Sequence, residues 1–200
     1  MADHIKLFTK IYETCEWGNN KNESYKGTSG GGSDVSYNID TYVPFLKDFI
    51  KNNKIESVID LGCGDFRCGN HIYKNLDINY HGYDAYLGVV ENNKNTHPQY
   101  NFTHLDFYNK KENIISGDLC ILKDVIQHWE LSEIYNFLDY LVESKKFKYI
   151  ILCNCCNQRK DDPENVGRSM PLSANYLPLK KYNPSILYNY NTKEVSLIKC

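Results

Sequence analysis

Apolar side chains at Ile5, Leu7, Phe8, Ile11 and Tyr12 recur at helical spacing and predict a helix over residues 4–15. A polar stretch follows from Gly18 to Gly32, and the segment ends Ser29-Gly30-Gly31-Gly32-Ser33-Asp34. A second helix is predicted over 39–52, with Phe45, Leu46, Phe49 and Ile50 as its apolar face. Pro44 falls in its first turns, where proline is tolerated. From residue 55 the rhythm changes, and short apolar runs at 57–61, 80–84, 101–106, 118–122 and 148–153 read as strands. Helical stretches at 67–75, 86–93 and 132–143 fall between them. The end, Ile186–Tyr190 and Glu194–Ile198 around Asn191-Thr192, reads as an antiparallel hairpin.

Strands alternating with helices indicate an α/β fold, with a mostly parallel sheet flanked by right-handed crossovers. The C-terminal hairpin adds antiparallel strands, and the N-terminal helices stand before the first strand. With 200 residues the chain is expected to be one domain, large enough to bury a core without staples. Its helical N-terminal cap with the glycine-rich flap spans 1–53, and the α/β core spans 54–200. No apolar run reaches the roughly 18 residues that a membrane span needs. The start, Met1-Ala2-Asp3-His4-Ile5-Lys6, carries no apolar signal-peptide core. A formal net charge of −2 argues against a polyanion-binding surface, so nucleic acid is not an expected partner. Arginine occurs only at positions 67, 159 and 168, the remaining basic charge being lysine.

The 8 cysteines lie mostly within apolar runs rather than at loop-fixing intervals, so they read as thiols in a reducing, cytoplasmic setting. Cys153-Asn154-Cys155-Cys156 contains a C-x-x-C, but a structural zinc site needs about four ligands in paired clusters. No metal is expected.

The strongest chemical signal is Asp60-Leu61-Gly62-Cys63-Gly64-Asp65, directly after a strand. Glycines there let the turn tighten and the backbone approach a ligand. A dinucleotide fingerprint would place a third glycine at position 67, where this chain has Arg67. A pyrophosphate also wants a bare helix N-terminus, whereas Asp60 and Asp65 would repel it. The acidic turn suits a ligand with positive charge and no phosphate, which S-adenosylmethionine is. Asp84 closes the second strand, 20 residues beyond Gly64, and can accept hydrogen bonds from ribose hydroxyls. Asp106 closes the third, where its side chain or the Phe107 backbone can meet an adenine edge. The competing reading of each Asp alone is a helix N-cap.

On these residues, the stretch 57–153 resembles the class I S-adenosylmethionine-dependent methyltransferases, with a Rossmann-like sheet. Val58–Gly64, Tyr83-Asp84, Leu105-Asp106-Phe107 and Asp118–Trp129 match the family motifs. It further resembles a subgroup found among glycan and nucleotide-sugar pathways. Ser29–Ser33 matches that subgroup's serine-glycine segment, and Asp124-Val125-Ile126-Gln127-His128-Trp129 its D-x-x-Q-H stretch. The resemblance implies that Asp60, Gly62, Cys63, Gly64 and Asp65 line the methionine side of the cofactor. It places Asp84 at the ribose and Asp106 and Phe107 at the adenine, with Lys123 also among the cofactor residues. Ser29, Gly30 and Gly31 would form a flap over cofactor or acceptor, although a flexible linker has the same composition. Arg67 would hold the cofactor carboxylate or an acidic acceptor, or else pair with a neighbouring carboxylate.

A hydroxyl acceptor is a poor nucleophile until it loses a proton, so a base titrating near neutrality helps. His128 fits, since an unperturbed histidine titrates near 6.5 and the segment follows the fourth strand. Asp124 would orient His128 or contact the cofactor. The competing reading has His128 and Trp129 capping and packing under the next helix. Trp129 and Tyr176 complete the expected acceptor contacts, and Tyr182, Tyr188 and Tyr190 could stack on a sugar or base face. The expected activity is O-methylation of a sugar hydroxyl on a nucleotide sugar or glycan. The alternatives are a methyltransferase acting on protein or RNA, or a non-catalytic binding module on the same fold.

Overall fold

The computed structural model describes residues 3–21, 24–166 and 169–200. They form two compact units, residues 1–114 and 115–200.

The first unit opens with α1 (His4–Glu13), capped by Asp3, whose carboxylate accepts the Lys6 N–H at 2.9 Å. Its inner face buries His4, Ile11 and Tyr12. The helix stops two residues short of the predicted 4–15, because Cys15 turns into the left-handed region at φ 55. The predicted helix over 39–52 is likewise shorter, since α2 (Val35–Asn38) ends and α3 (Tyr42–Asn52) starts afresh. The buried Asn38 amide reaches back to the Gly32 and Asp34 carbonyls at 2.9 and 2.8 Å, a local bond that competes with helix continuation. Pro44 lies in the first turn of α3, as expected.

Three parallel strands follow, β1 (Ser57–Leu61), β2 (Asn79–Asp84) and β3 (Asn101–His104), in the order β3-β2-β1. The crossovers carry α4 (Arg67–Tyr73) and α5 (Leu87–Thr96). Leu61 pairs with Tyr83 and Asp84 with His104, so β1 and β2 end level and bring residues 62–65 beside Asp84. Under the turn lies an aromatic cluster in which Phe66 packs at 5.0 Å from Phe102 and 4.9 Å from Tyr80.

In the second unit β4 (Gly117–Lys123) pairs in parallel with β5 (Phe147–Cys155), joined by α6 (Leu131–Glu143). β7 (Lys193–Lys199) runs antiparallel to β5, and β6 (Ser185–Tyr190) antiparallel to β7. The turn between β6 and β7 falls at Asn191-Thr192, where the hairpin was expected. Ile150, Ile151, Leu152 and Cys153 are all fully buried, the continuous apolar run of a strand covered on both faces. Ile134, Phe137, Leu138 and Leu141 on α6 are equally buried. Helices alternating with mostly parallel strands, then an antiparallel hairpin, make the α/β pattern anticipated from the apolar runs and the Rossmann-like sheet that the resemblance implied. Among the described residues, no helix is long and apolar enough to cross a membrane.

Candidate functional site

In the first unit the site is built on the loop between β1 and α4. Gly62 and Gly64 take φ values of 84° and 55°, a region costly for any residue with a Cβ. The Gly62 and Cys63 N–H groups donate to the Tyr83 carbonyl at 2.8 and 3.0 Å, stitching the turn to the end of β2. Gly64 N–H then donates to Asp84 Oδ2 at 3.0 Å, and Tyr86 N–H to Asp84 Oδ1 at 2.9 Å. Asp84 is buried, and burial raises its pKa against the lowering effect of these backbone donors.

Asp60 accepts the Tyr80 hydroxyl at 2.9 Å. The Cys63 thiol lies among the acids, and its pKa is pushed well up by burial and by Asp84, Asp60 and Asp65. Asp60 and Asp84 thus bring two carboxylates to this corner. Asp65 is compensated by Arg67, whose Nε donates to Asp65 Oδ2 at 2.8 Å and whose Nη2 lies 2.5 Å from it. Arg67 Nη1 reaches Asp34 Oδ1 at 3.1 Å. Of the roles anticipated for Arg67, pairing with neighbouring carboxylates is the one seen.

The glycine-rich segment docks on this turn. Ser29 Oγ accepts the Asp65 N–H at 2.8 Å and shares a hydrogen bond with Tyr12 OH at 2.7 Å. Gly30 adopts φ 80, and Gly31–Ser33 form one 3-10 turn. Asp106 is buried, and its carboxylate accepts the N–H groups of His4 at 3.2 Å and Asn109 at 3.0 Å. It thus ties the start of α1 to the loop after β3. Phe107 beside it is 5% exposed.

In the second unit the residues anticipated after β4 gather around a strained turn. Asp124 has φ 58, unusual for a residue other than glycine. Lys123 Nζ donates to its Oδ2 at 2.8 Å, and Lys193 Nζ, from β7, to its Oδ1. Burial raises the Asp124 pKa, but the two ammonium groups outweigh it and hold the carboxyl below its usual range. Both carboxylate oxygens of Asp124 thus face lysines.

Gln127 lies against His128. Its Oε1 accepts the Cys155 N–H at 2.9 Å, which turns its Nε2 toward His128 Nε2 at 3.5 Å. His128 is half-buried in the 3-10 turn Ile126–His128. Trp129 is 1% exposed and packs edge-on against Phe137 at 5.1 Å, so its ring lies in the core. Tyr176 is half-buried in the loop between β5 and β6. Tyr182 OH is held by the Tyr135 carbonyl and Asp139, and Tyr190 OH lies 3.5 Å from Cys153 Sγ.

Two residues at these turns had no local sequence signal. Lys193 lies 69 positions from the Asp124 it neutralises. Asn93, fully buried on α5, donates from Nδ2 to the Gly64 carbonyl at 2.7 Å.

An acidic glycine turn after β1, with a buried carboxylate ending β2, on a mostly parallel sheet closed by an antiparallel hairpin, is the architecture of the class I methyltransferase fold. No protein-family model and no curated protein sequence matches the chain. Among solved structures, it is similar to the magnesium protoporphyrin IX methyltransferase ChlM from Synechocystis PCC 6803 with bound SAM. The TM-score is 0.66 at 12% identity, covering 98% of this chain and 97% of that one. The N-methyltransferase NodS from Bradyrhizobium japonicum WM9, in complex with S-adenosyl-L-homocysteine, gives 0.66 at 7% identity, covering 98% of each chain. The bifunctional kinase-methyltransferase WbdD gives 0.61 at 15% identity, covering 84% of this chain and 40% of WbdD. At these identities the likeness establishes the fold.

Proposed function

We propose that this chain is an S-adenosylmethionine-dependent methyltransferase acting on a sugar hydroxyl of a nucleotide sugar or glycan. The observation that carries the cofactor assignment is the gathering of Asp60, Asp65 and Asp84 at the Gly62–Gly64 turn, with the Asp84 carboxylate accepting the Gly64 N–H at 3.0 Å. Such a corner attracts a sulfonium and an ammonium and repels a diphosphate. When bound, S-adenosylmethionine supplies a methyl group already activated by its sulfonium.

The protein's work is then positioning and one proton transfer. The residues at 60–65 face the methionine portion. Asp84, with its carboxylate oriented by backbone N–H groups, accepts from the ribose hydroxyls, and Asp106 and Phe107 border the adenine. Lys123 and Asp124 hold the turn after β4 in shape, and His128 takes the proton of the acceptor hydroxyl at a ring nitrogen. Ser29, Gly30, Gly31, Arg67 and Tyr176 are assigned to the acceptor side. The sugar acceptor rests on the serine-glycine and D-x-x-Q-H resemblance together with the histidine base, and WbdD is a neighbour on the same fold.

Calorimetry with S-adenosylhomocysteine, with NAD as the control, tests the cofactor. Binding of the first alone is expected, and seating of NAD instead would overturn the reading. Tritiated-methyl transfer over a panel of nucleotide sugars, with RNA and peptide pools alongside, tests the acceptor. With the right acceptor, His128→Ala is expected to lose at least ~100-fold in turnover while cofactor affinity stays within about threefold. Turnover equal to the parent would remove His128 from the mechanism.

A further inference from the structure

We infer that Asn93 is a positioning residue that sets the cofactor turn by clamping the Gly64 peptide from below. The inference rests on the cofactor reading above and names a residue to which that reading gave no role. Asn93 lies on α5 with no solvent exposure, where a residue serving only to fill space would be apolar. Its Nδ2 donates to the Gly64 carbonyl at 2.7 Å. A carbonyl oxygen can only accept, so the amide orientation is decided by this contact. The consequence is that Asn93 Oδ1 is buried with no hydrogen-bond partner. The protein therefore keeps a polar side chain here although half of it goes unsatisfied.

The opposite side of the same residue explains the arrangement. Gly64 N–H donates to Asp84 Oδ2 at 3.0 Å, and the next N–H, of Asp65, donates to Ser29 Oγ at 2.8 Å. Gly64 sits at φ 55 with no Cβ to restrict it. The two peptide units flanking it can swing together unless side chains hold them. Asp84 and Ser29 hold the N–H groups, and Asn93 alone among the described hydrogen bonds holds the Gly64 carbonyl. Without it, the planar Gly64–Asp65 peptide is held only through the Asp65 N–H, and its tilt about Gly64 can draw the Gly64 N–H away from Asp84, the carboxylate assigned to the ribose. Loss of the clamp should weaken cofactor binding and leave the packing of α5 intact.

The test uses Asn93→Leu, which keeps the branched outline and removes both the donor and the unsatisfied oxygen, and Asn93→Ala, which removes both without added bulk. The second covers the case in which the first does not fold. Two readouts are taken on the whole chain: the dissociation constant for S-adenosylhomocysteine and the NMR shift of the Gly64 amide proton without ligand. Expected are a dissociation constant at least tenfold higher and an upfield move of the Gly64 amide as its bond to Asp84 lengthens. Affinity within twofold of the parent overturns the inference. So does weaker affinity with an unmoved Gly64 amide, since the loss then arises elsewhere. Should the parent itself not bind S-adenosylhomocysteine, the methyltransferase reading fails, while the amide shift still decides whether Asn93 clamps the turn.

Discussion

Ser29 and Asp65, 36 positions apart, exchange hydrogen bonds: Asp65 N–H donates to Ser29 Oγ at 2.8 Å, and Ser29 N–H to Asp65 Oδ2 at 3.4 Å. This reciprocal pair lays the glycine-rich segment directly on the acidic turn. It also places the Ser29 side chain in the space that a Cβ at Gly64 would occupy.

Gly64→Ala is therefore expected to disturb two things at once. Its methyl group would come within 2.6 Å of Ser29 Oγ, and the residue would be held at a positive φ. The backbone part alone costs about 1–2 kcal/mol. Urea unfolding should show that loss, and adding Ser29→Gly should recover part of it by removing the clash. Strict additivity of the two changes would count against the contact.

Arg67 bridges the turn to the far end of the same segment, through Asp65 and Asp34. Its side chain is 40% exposed, so solvent screens the pairs and their value lies in restraint more than in stability. Arg67→Gln should raise the rate of proteolytic cleavage within residues 28–34, and high salt should raise it in the parent but little in the variant. Equal cleavage of parent and variant at low salt would show that Arg67 does not hold the segment.

Burial raises the Asp84 pKa. Under the proposed function the ribose hydroxyls would need the ionised carboxylate as acceptor, so protons would compete with the cofactor. Affinity for S-adenosylhomocysteine should be complete above the raised value and fall as pH drops through it. The decline should begin at higher pH than an ordinary aspartate, near 3.9, would allow. Calorimetry between pH 4 and 8 (about the range set by these values) checks this; a flat affinity down to the acid end would exclude Asp84 from ligand contact.

Asp124 shows the opposite sign, its pKa lowered by Lys123 and Lys193 in spite of burial. A depressed folded value means the stabilisation is present above the unfolded pKa and is lost as pH falls through the folded one. Asp124→Asn leaves two largely buried lysines without their counter-charge and should cost about 3–5 kcal/mol at neutral pH. Its guanidinium unfolding curve should also lose part of the parent's decline in the acid range. Matching stabilities at neutral pH would mean that the lysines find other partners.

Much of the fold was visible along the chain because its signals are local. Apolar runs of strand length, such as Ile150–Cys153, and the glycines of the β1 turn mark their own positions. Helix ends were less legible. The expected helix over 39–52 began three residues too early, because the Asn38 amide reaches back to the nearby Gly32 and Asp34 carbonyls and α3 starts afresh at Tyr42. The acids at 60, 65, 84 and 106 were legible as a set because each ends or flanks a strand, and strands that pair in parallel bring such residues to one edge.

The amino-acid sequence alone determined the order of strands and helices, the acidic glycine turn and the candidate base after β4, since each depends on neighbours a few residues apart. Only the tertiary structure decided which charges meet. It placed Lys193 on Asp124, Arg67 on Asp65 and Asp34, Asn93 under Gly64 and Trp129 in the core. Those pairings form when burial strips water from polar groups and leaves each the nearest partner of opposite character, wherever the chain has carried it.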